Sequence, residues 1–361
     1  MQLLKDTIDL RHVLNNCAEK SMHEVRTKEN LINWIKAKTS DNPNYEIIDL
    51  DRWFYVRYKS DNVKRKAIAF RADMDAVTIN EHEVRHLCGH DGHSATLAGF
   101  CVLINGHKLD RDVYFIFQHA EESGDGGKEC AELILIKEIE EVYAYHNIPG
   151  YKEGECLLKD NTFACASSGI LINFKGAVSH AAYPELGKNP SFALAKVINY
   201  IEAFNQKERD YIEFATIVGS KMGNESYGVS CGDASLMMTV RSEIEMNLIK
   251  LIDDIQTLCA KLAIEYGLTY QFELKEPFPS TVNTSEEVTK LAKICKINQI
   301  DCQYLDTPFR WSEDFGHYLK YAKGALFGIG NGLNSSGLHT DEYSFNDNII
   351  VKVWLIFASL L

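Results

Sequence analysis

At 361 residues the chain exceeds what one hydrophobic core usually organises, so two domains are expected. Its 45% hydrophobic and 25% charged residues are those of an ordinary globular protein with ample material for a core. The net charge of −13, with no Lys/Arg block, argues against nucleic acid and anionic membranes as partners. Ten cysteines are too sparse for a disulfide scaffold and show no paired spacing, so reduced thiols and a cytoplasmic protein are expected. Residues 1–10 lack a basic segment followed by an apolar one. Apolar stretches such as 353–361 fall far short of the roughly 20 residues that span a bilayer.

In chain order, residues 3–38 read as helical, with Leu31, Ile32, Trp34 and Ile35 at helical spacing. Residues 67–71, 113–118 and 142–145 read as short buried strands. Between them 94–105 presents Leu97, Cys101 and Ile104 on one helical face, and 127–138 suits a second crossover helix. Such alternation implies βαβ units and a mostly parallel sheet. From about 167 to 277 the pattern changes: strand 169–175, helix 191–206, strands 211–219 and 234–241, helix 245–266, strand 268–274. That β-α-β-β-α-β order is the ferredoxin-like split unit, read as an inserted lid. The expected fold is therefore an α/β catalytic domain over 1–166 and 278–361, interrupted by a lid over 167–277. After the lid come helices near 286–297 and 312–321, then a strand 325–330 before a loop holding His339.

Three polar clusters fall just past apolar strands. His86 to His93 follows the first, Glu121-Glu122 the second and His146-Asn147 the third. Ligands of open α/β sheets bind outside the strands' carboxyl ends, so these clusters should converge. Cys88-Gly89-His90 alone is a weak signal, since free cysteines are usually packing residues. Here the same hydrophilic segment also carries Asp91 and His93. Glu121 and Glu122 open a Gly-rich loop, where one carboxylate can ligate while the other shuttles a proton. Cys88, His90, Glu122, His146 and His339 exceed the about four ligands of a single zinc. With one bridging side chain and a shared water they supply the roughly eight positions of two four-coordinate ions. The expected cofactors are two divalent ions (zinc, manganese, nickel or cobalt) bridged by hydroxide, with Glu121 as general base. Asp73, Asp75 and Asp91 are the carboxylates available to orient the imidazoles.

These motifs, in this order, resemble the di-metal amidohydrolase and carboxypeptidase family of aminoacylases and glutamate carboxypeptidase. The likeness is greatest to the branch of N-acetyldiaminopimelate deacetylase, hippurate hydrolase and auxin-conjugate hydrolases. It is carried by Arg71-Ala72-Asp73-Met74-Asp75-Ala76, His86 to His93, Phe117-Gln118-His119-Ala120-Glu121-Glu122 and His146-Asn147-Ile148-Pro149. Further matches are Gly176-Ala177-Val178-Ser179-His180-Ala181-Ala182-Tyr183-Pro184, Ser312-Glu313-Asp314-Phe315 and Leu338-His339. The resemblance implies that the same five side chains are metal ligands and Glu121 the base. It makes His180 a lid donor to the scissile carbonyl, often across a homodimer interface, and lets Arg241 receive a substrate carboxylate. It implies hydrolysis of small N-acyl, chiefly N-acetyl, amino acids, with a dipeptidase or carboxypeptidase as the neighbouring reading. The chain departs from the pattern in a shorter loop between Glu81 and His86 and in His119 where Pro is usual. Gly228-Val229-Ser230-Cys231 stands for Asn-Val-Ile-Pro, and Leu14-Asn15 for Leu-His. Two other classes predict different behaviour. A metal protein without catalysis has no use for Glu121, and a Cys88–His thiol hydrolase would ignore chelators.

Overall fold

The computed structural model describes residues 1–80 and 82–361; Glu81, at the start of the short loop before His86, lies outside the described residues. The chain divides into two compact units, Met1–Phe163 with Thr281–Pro308 and Asp314–Leu361, and Ala164–Ser280 with Phe309–Glu313. The return of 309–313 to the second unit was not foreseen from sequence.

The first unit opens with α1 (Gln2–Asn16) and α2 (Val25–Thr39), not the single helix that periodicity suggested over 3–38. Long-range pairing breaks it: Lys20 bridges Ala76, and Glu19 accepts hydrogen bonds from the backbone and hydroxyl of Thr27 at the start of α2. Then follow β1 (Tyr45–Asp49), β2 (Phe54–Tyr58), β3 (Ile68–Asp73), β4 (Val77–Asn80), β5 (Glu83–Arg85) and α3 (His90–Leu103). Next come β6 (Val113–Gln118), α4 (Gly126–Ile136), β7 (Glu141–Pro149), β8 (Cys156–Leu158) and β9 (Asn161–Ala164).

The second unit carries β10 (Ala166–Lys175), α5 (Ser191–Asn205), β11 (Glu213–Met222), β12 (Asp233–Ser242), α6 (Glu245–Tyr266) and β13 (Thr269–Phe278). Its sheet is antiparallel in the order β11-β12-β10-β13. Strand β10 alternates buried and half-buried residues, the signature of a sheet with one packed face. That face sets Ile170, Ile172, Phe174, Leu236 and Met238 in one core with residues of α5 and α6 such as Leu194 and Ile255.

The chain returns to the first unit through β14 (Thr281–Asn283), α7 (Ser285–Ile297), β15 (Cys302–Tyr304), α8 (Gly316–Leu319), β16 (Lys323–Gly332) and α9 (Ile350–Leu360). Of the helix expected over 312–321 only the four residues of α8 are helical, and 312–313 belongs to the other unit. The large sheet runs β1-β2-β6-β3-β7-β16-β8-β15 and is mixed. Its middle strands β6, β3, β7 and β16 are parallel, while β1, β2 and β8 enter antiparallel. Helices cover the parallel strands, which explains why β3 and β6 are buried at every position and read as unbroken apolar runs. Paired Phe70 and Phe115, with Phe100 of α3 and Phe357 of α9, fill this core. No helix among the described residues is long and apolar enough to cross a membrane.

Candidate metal centre and active site

Strands β3, β6 and β7 run in register side by side, so their carboxyl ends open on the same edge. Asp73 ends β3, and the Glu121-Glu122 turn follows β6. His146 and Asn147 lie inside β7, not beyond it as the sequence suggested, because β7 continues alongside Gly328 and Ile329 of β16. Helix α3 starts at His90, four residues before the expected start, and its first turn supplies Asp91 and His93. Gly89 precedes it in a left-handed conformation (φ 92°); a Cβ there would stand 2.4 Å from the Tyr343 hydroxyl and 2.5 Å from Asn147 Oδ1. The His339 loop is tied in by its backbone N–H, which donates to the carbonyl of Leu87 at 2.8 Å.

The ligand atoms of Cys88, His90 and His146 lie within 4.8 Å of one another, and so do those of Cys88, Glu122 and His339. Cys88 Sγ is 3.5 Å from His146 Nε2, and Glu122 Oε1 is 3.8 Å from His90 Nε2 and 3.6 Å from His339 Nε2. Glu121 Oε2 stands at the same 3.8 Å from His90 Nε2. Distance to His90 therefore does not separate the two acids; Glu122 also reaches His339. Both Ala120, just before Glu121, and His339 hold left-handed backbones (φ 51° and 61°). Such strain in non-glycine residues concentrates at functional sites.

Carboxylates fix the rings. His90 Nδ1 is 3.2 Å from Asp75 Oδ1, and His93 is held between Asp73 Oδ1 at 2.7 Å and Asn147 Oδ1 at 2.6 Å. Asp91 instead faces Arg11 and Asn15, the latter donating at 2.9 Å from the position where the family's His was expected. Burial opposes the charge of Asp73, but His90, His93 and Arg71 hold it well below the usual carboxylate range. Burial would likewise lower His90, yet Asp73, Cys88 and Asp75 together raise it well above an ordinary histidine. Burial, with His93 adding to it, depresses His146, and burial pushes the Cys88 thiol up, Glu122 adding to the rise. Burial lifts Glu122 to about 7, helped by Asp75 and opposed by His90.

Residues to which the sequence reading assigned no role brace the site. Arg71 donates from Nε to Gln118, from Nη1 to Asp73 and from Nη2 to Asp314, at 2.9, 2.7 and 2.7 Å. Asp314 also accepts from Gln118 Nε2 and the Gly127 N–H. The available signal was a charged or amide side chain inside an apolar strand, as in Ile68–Asp73 and Val113–Gln118.

In the second unit, His180 is exposed, its Nδ1 accepting from the Ala182 N–H at 3.0 Å. It pairs with Val229, and Ser230 anchors the preceding residue by donating and accepting bonds with Ser179. Arg241 donates from Nη1 to the Arg310 carbonyl and the Ser312 hydroxyl at 3.0 and 3.1 Å, and burial lowers its pKa.

Comparison with known proteins agrees with the resemblance seen in the motifs. The chain is 25% identical over 363 residues to N-acetyldiaminopimelate deacetylase of Lactobacillus helveticus strain DPC 4571, covering 96% of this chain and 94% of that one. It is 26% identical over 311 residues to hippurate hydrolase of Campylobacter jejuni, covering 82% and 81%. Among solved structures, a protein from methicillin-resistant Staphylococcus aureus described as an aminohydrolase superposes with a TM-score of 0.87 at 20% identity over 99% of this chain and 97% of that one. A Bacillus subtilis protein described as a dinuclear metal-binding peptidase of family M20 does so at 0.82 and 21%, with the same coverage. The family model for Peptidase family M20/M25/M40 matches residues 69–361, so the chain belongs to that family of amide-bond hydrolases.

Proposed function

We propose that this protein is a metal-dependent amidohydrolase that cleaves the amide bond of N-acyl, first of all N-acetyl, amino acids with Glu121 as general base. The observation that carries this reading is a pair of buried atoms, His90 Nε2 and Glu122 Oε1, which face each other at 3.8 Å without hydrogen-bond partners. Buried polar atoms left so are costly, and a cation between them removes the cost. The donor chemistry fits: Cys88, His90 and His146, with Glu122 and His339 grouped about the same sulfur, would hold two divalent ions. Zinc, manganese, nickel and cobalt all accept such a mixed Cys/His/carboxylate set. Divalent ions bound there would acidify water and polarise an amide carbonyl.

The remaining work falls to the side chains. Glu121 takes a proton from the attacking water and hands it to the departing amine. Asp75 fixes the orientation of His90, and Asp73 with Asn147 that of His93. We assign His180 as hydrogen-bond donor to the developing oxyanion and Arg241 as partner of the substrate carboxylate. Residues 167–277, with the strand-helix order of a ferredoxin-like unit, would serve as lid and dimerisation domain, His180 acting on substrate held by a second subunit. The relatives named for N-acetyldiaminopimelate and hippurate, both acylated amino acids, support this substrate class.

A panel of N-acetyl amino acids, hippurate and dipeptides, assayed with and without chelator, tests the reading. Chelator-sensitive release of amine from the acylated amino acids is expected; cleavage of peptides alone would make the protein a dipeptidase or carboxypeptidase. Glu121→Gln should lower kcat by about 10²–10⁴-fold while bound metal stays near wild type. An active E121Q enzyme would remove the base assignment.

A further inference from the structure

Outside the catalytic cluster a second group of soft ligands meets: Cys156, Cys295 and Cys302, whose sulfur atoms all lie within 4.8 Å of one another. They come from three segments. Cys156 opens β8, Cys302 opens the adjoining edge strand β15 as its register partner, and Cys295 lies in the last turn of α7. Cys156 and Cys295 are fully buried, Cys302 is exposed, and none is in a disulfide. Cys156 sits opposite Ile329 of β16, which in turn pairs with Asn147, so the group is two strands away from that part of β7.

We infer that Cys156, Cys295 and Cys302 form a second, non-catalytic metal site, a three-thiolate seat for one thiophilic d¹⁰ cation such as Zn(II) or Cu(I). Zinc–sulfur bonds of about 2.3 Å around one ion set sulfurs roughly 4 Å apart, which this triangle meets with little or no closure. Thiolates alone select soft ions over magnesium, calcium or manganese. The exposed edge at Cys302 admits the ion. A bound ion would tie edge strand β15 to α7.

The test uses the full-length protein and metal stoichiometry. Reduced wild type and a Cys156→Ser/Cys295→Ser/Cys302→Ser variant are titrated anaerobically with Zn(II), and separately with Cu(I). Wild type should bind one equivalent more than the variant with at least one of the ions, with amide hydrolysis unchanged. With Cd(II) as probe, the ultraviolet thiolate-to-metal band should fall to about a quarter, since Cys88 is then the one thiolate of four left. If the triple variant fails to fold, Cys302→Ser alone should weaken the extra equivalent by roughly tenfold or more. Equal stoichiometry for both ions, or a disulfide among the three in protein kept reduced before alkylation, would overturn the assignment.

Discussion

Glu24 is the residue whose chemistry reaches furthest beyond its position. Its Oε1 accepts from the N–H groups of Ala120 and Met22, bracing the left-handed turn just before Glu121. Burial, with Asp75 adding to it, lifts its pKa from 4.5 to about 7. The folded chain therefore keeps a proton that the unfolded chain releases between those values, so this carboxyl's contribution to stability falls as pH rises through that window and is level above it. At most ~3 kcal/mol is at stake. Thermal melts of Glu24→Gln against wild type should show the variant gaining from pH 5 to pH 8; a difference independent of pH would contradict this. Gly89 makes a second case. Its φ and the 2.4 and 2.5 Å approaches to Tyr343 and Asn147 leave no room for a methyl group. Gly89→Ala should cost about 1–3 kcal/mol in urea denaturation and weaken metal binding, because Cys88 and His90 flank it.

At the scale of elements, Asp314 joins β3, β6 and the start of α4 through Arg71, Gln118 and the Gly127 N–H. Removing one partner from a buried ionic network leaves the others uncompensated. Asp314→Ala should therefore lose about 3–5 kcal/mol in chemical denaturation, and a loss below 1 kcal/mol would show that the remaining partners of Arg71, Asp73 and Gln118 among them, satisfy it. Elements legible in the sequence were those whose pattern is local. The buried run Val113–Gln118 and the amphipathic helix Glu245–Tyr266 have the bounds that periodicity assigned. Edge strands β1 and β15 carry no such pattern, the first half-buried and the second three residues long, too little for a period to register. The polar pair His146-Asn147 reads in the sequence as lying past the strand, but hydrogen bonding to β16 carries the strand through it.

For the whole molecule, metal should count as part of the folded state. An ion that binds only the native chain adds about 2.7 kcal/mol at a hundredfold excess over its Kd. Chelation should accordingly abolish amide hydrolysis and lower the melting temperature together, with both restored on adding metal; indifference of both would remove the dinuclear reading. Light scattering after size exclusion should give a dimer at micromolar concentration, and a monomer would withdraw the role proposed for His180 in a second subunit.

Residue types and spacing were enough to identify the family and to offer Cys88, His90, Glu121, Glu122, His146 and His339 as candidates that the fold brings together, because they lie in short motifs next to readable strands. What joins Arg71 to Asp314, Asn15 to Asp91, or Cys156 to Cys295 and Cys302 left no mark in the sequence. Those partners lie far apart along the chain, and no local period or spacing encodes which distant side chain a buried charge or thiol will meet. Only closure of the sheet and its helices, which excludes water and makes a buried polar atom without a partner costly, decides it.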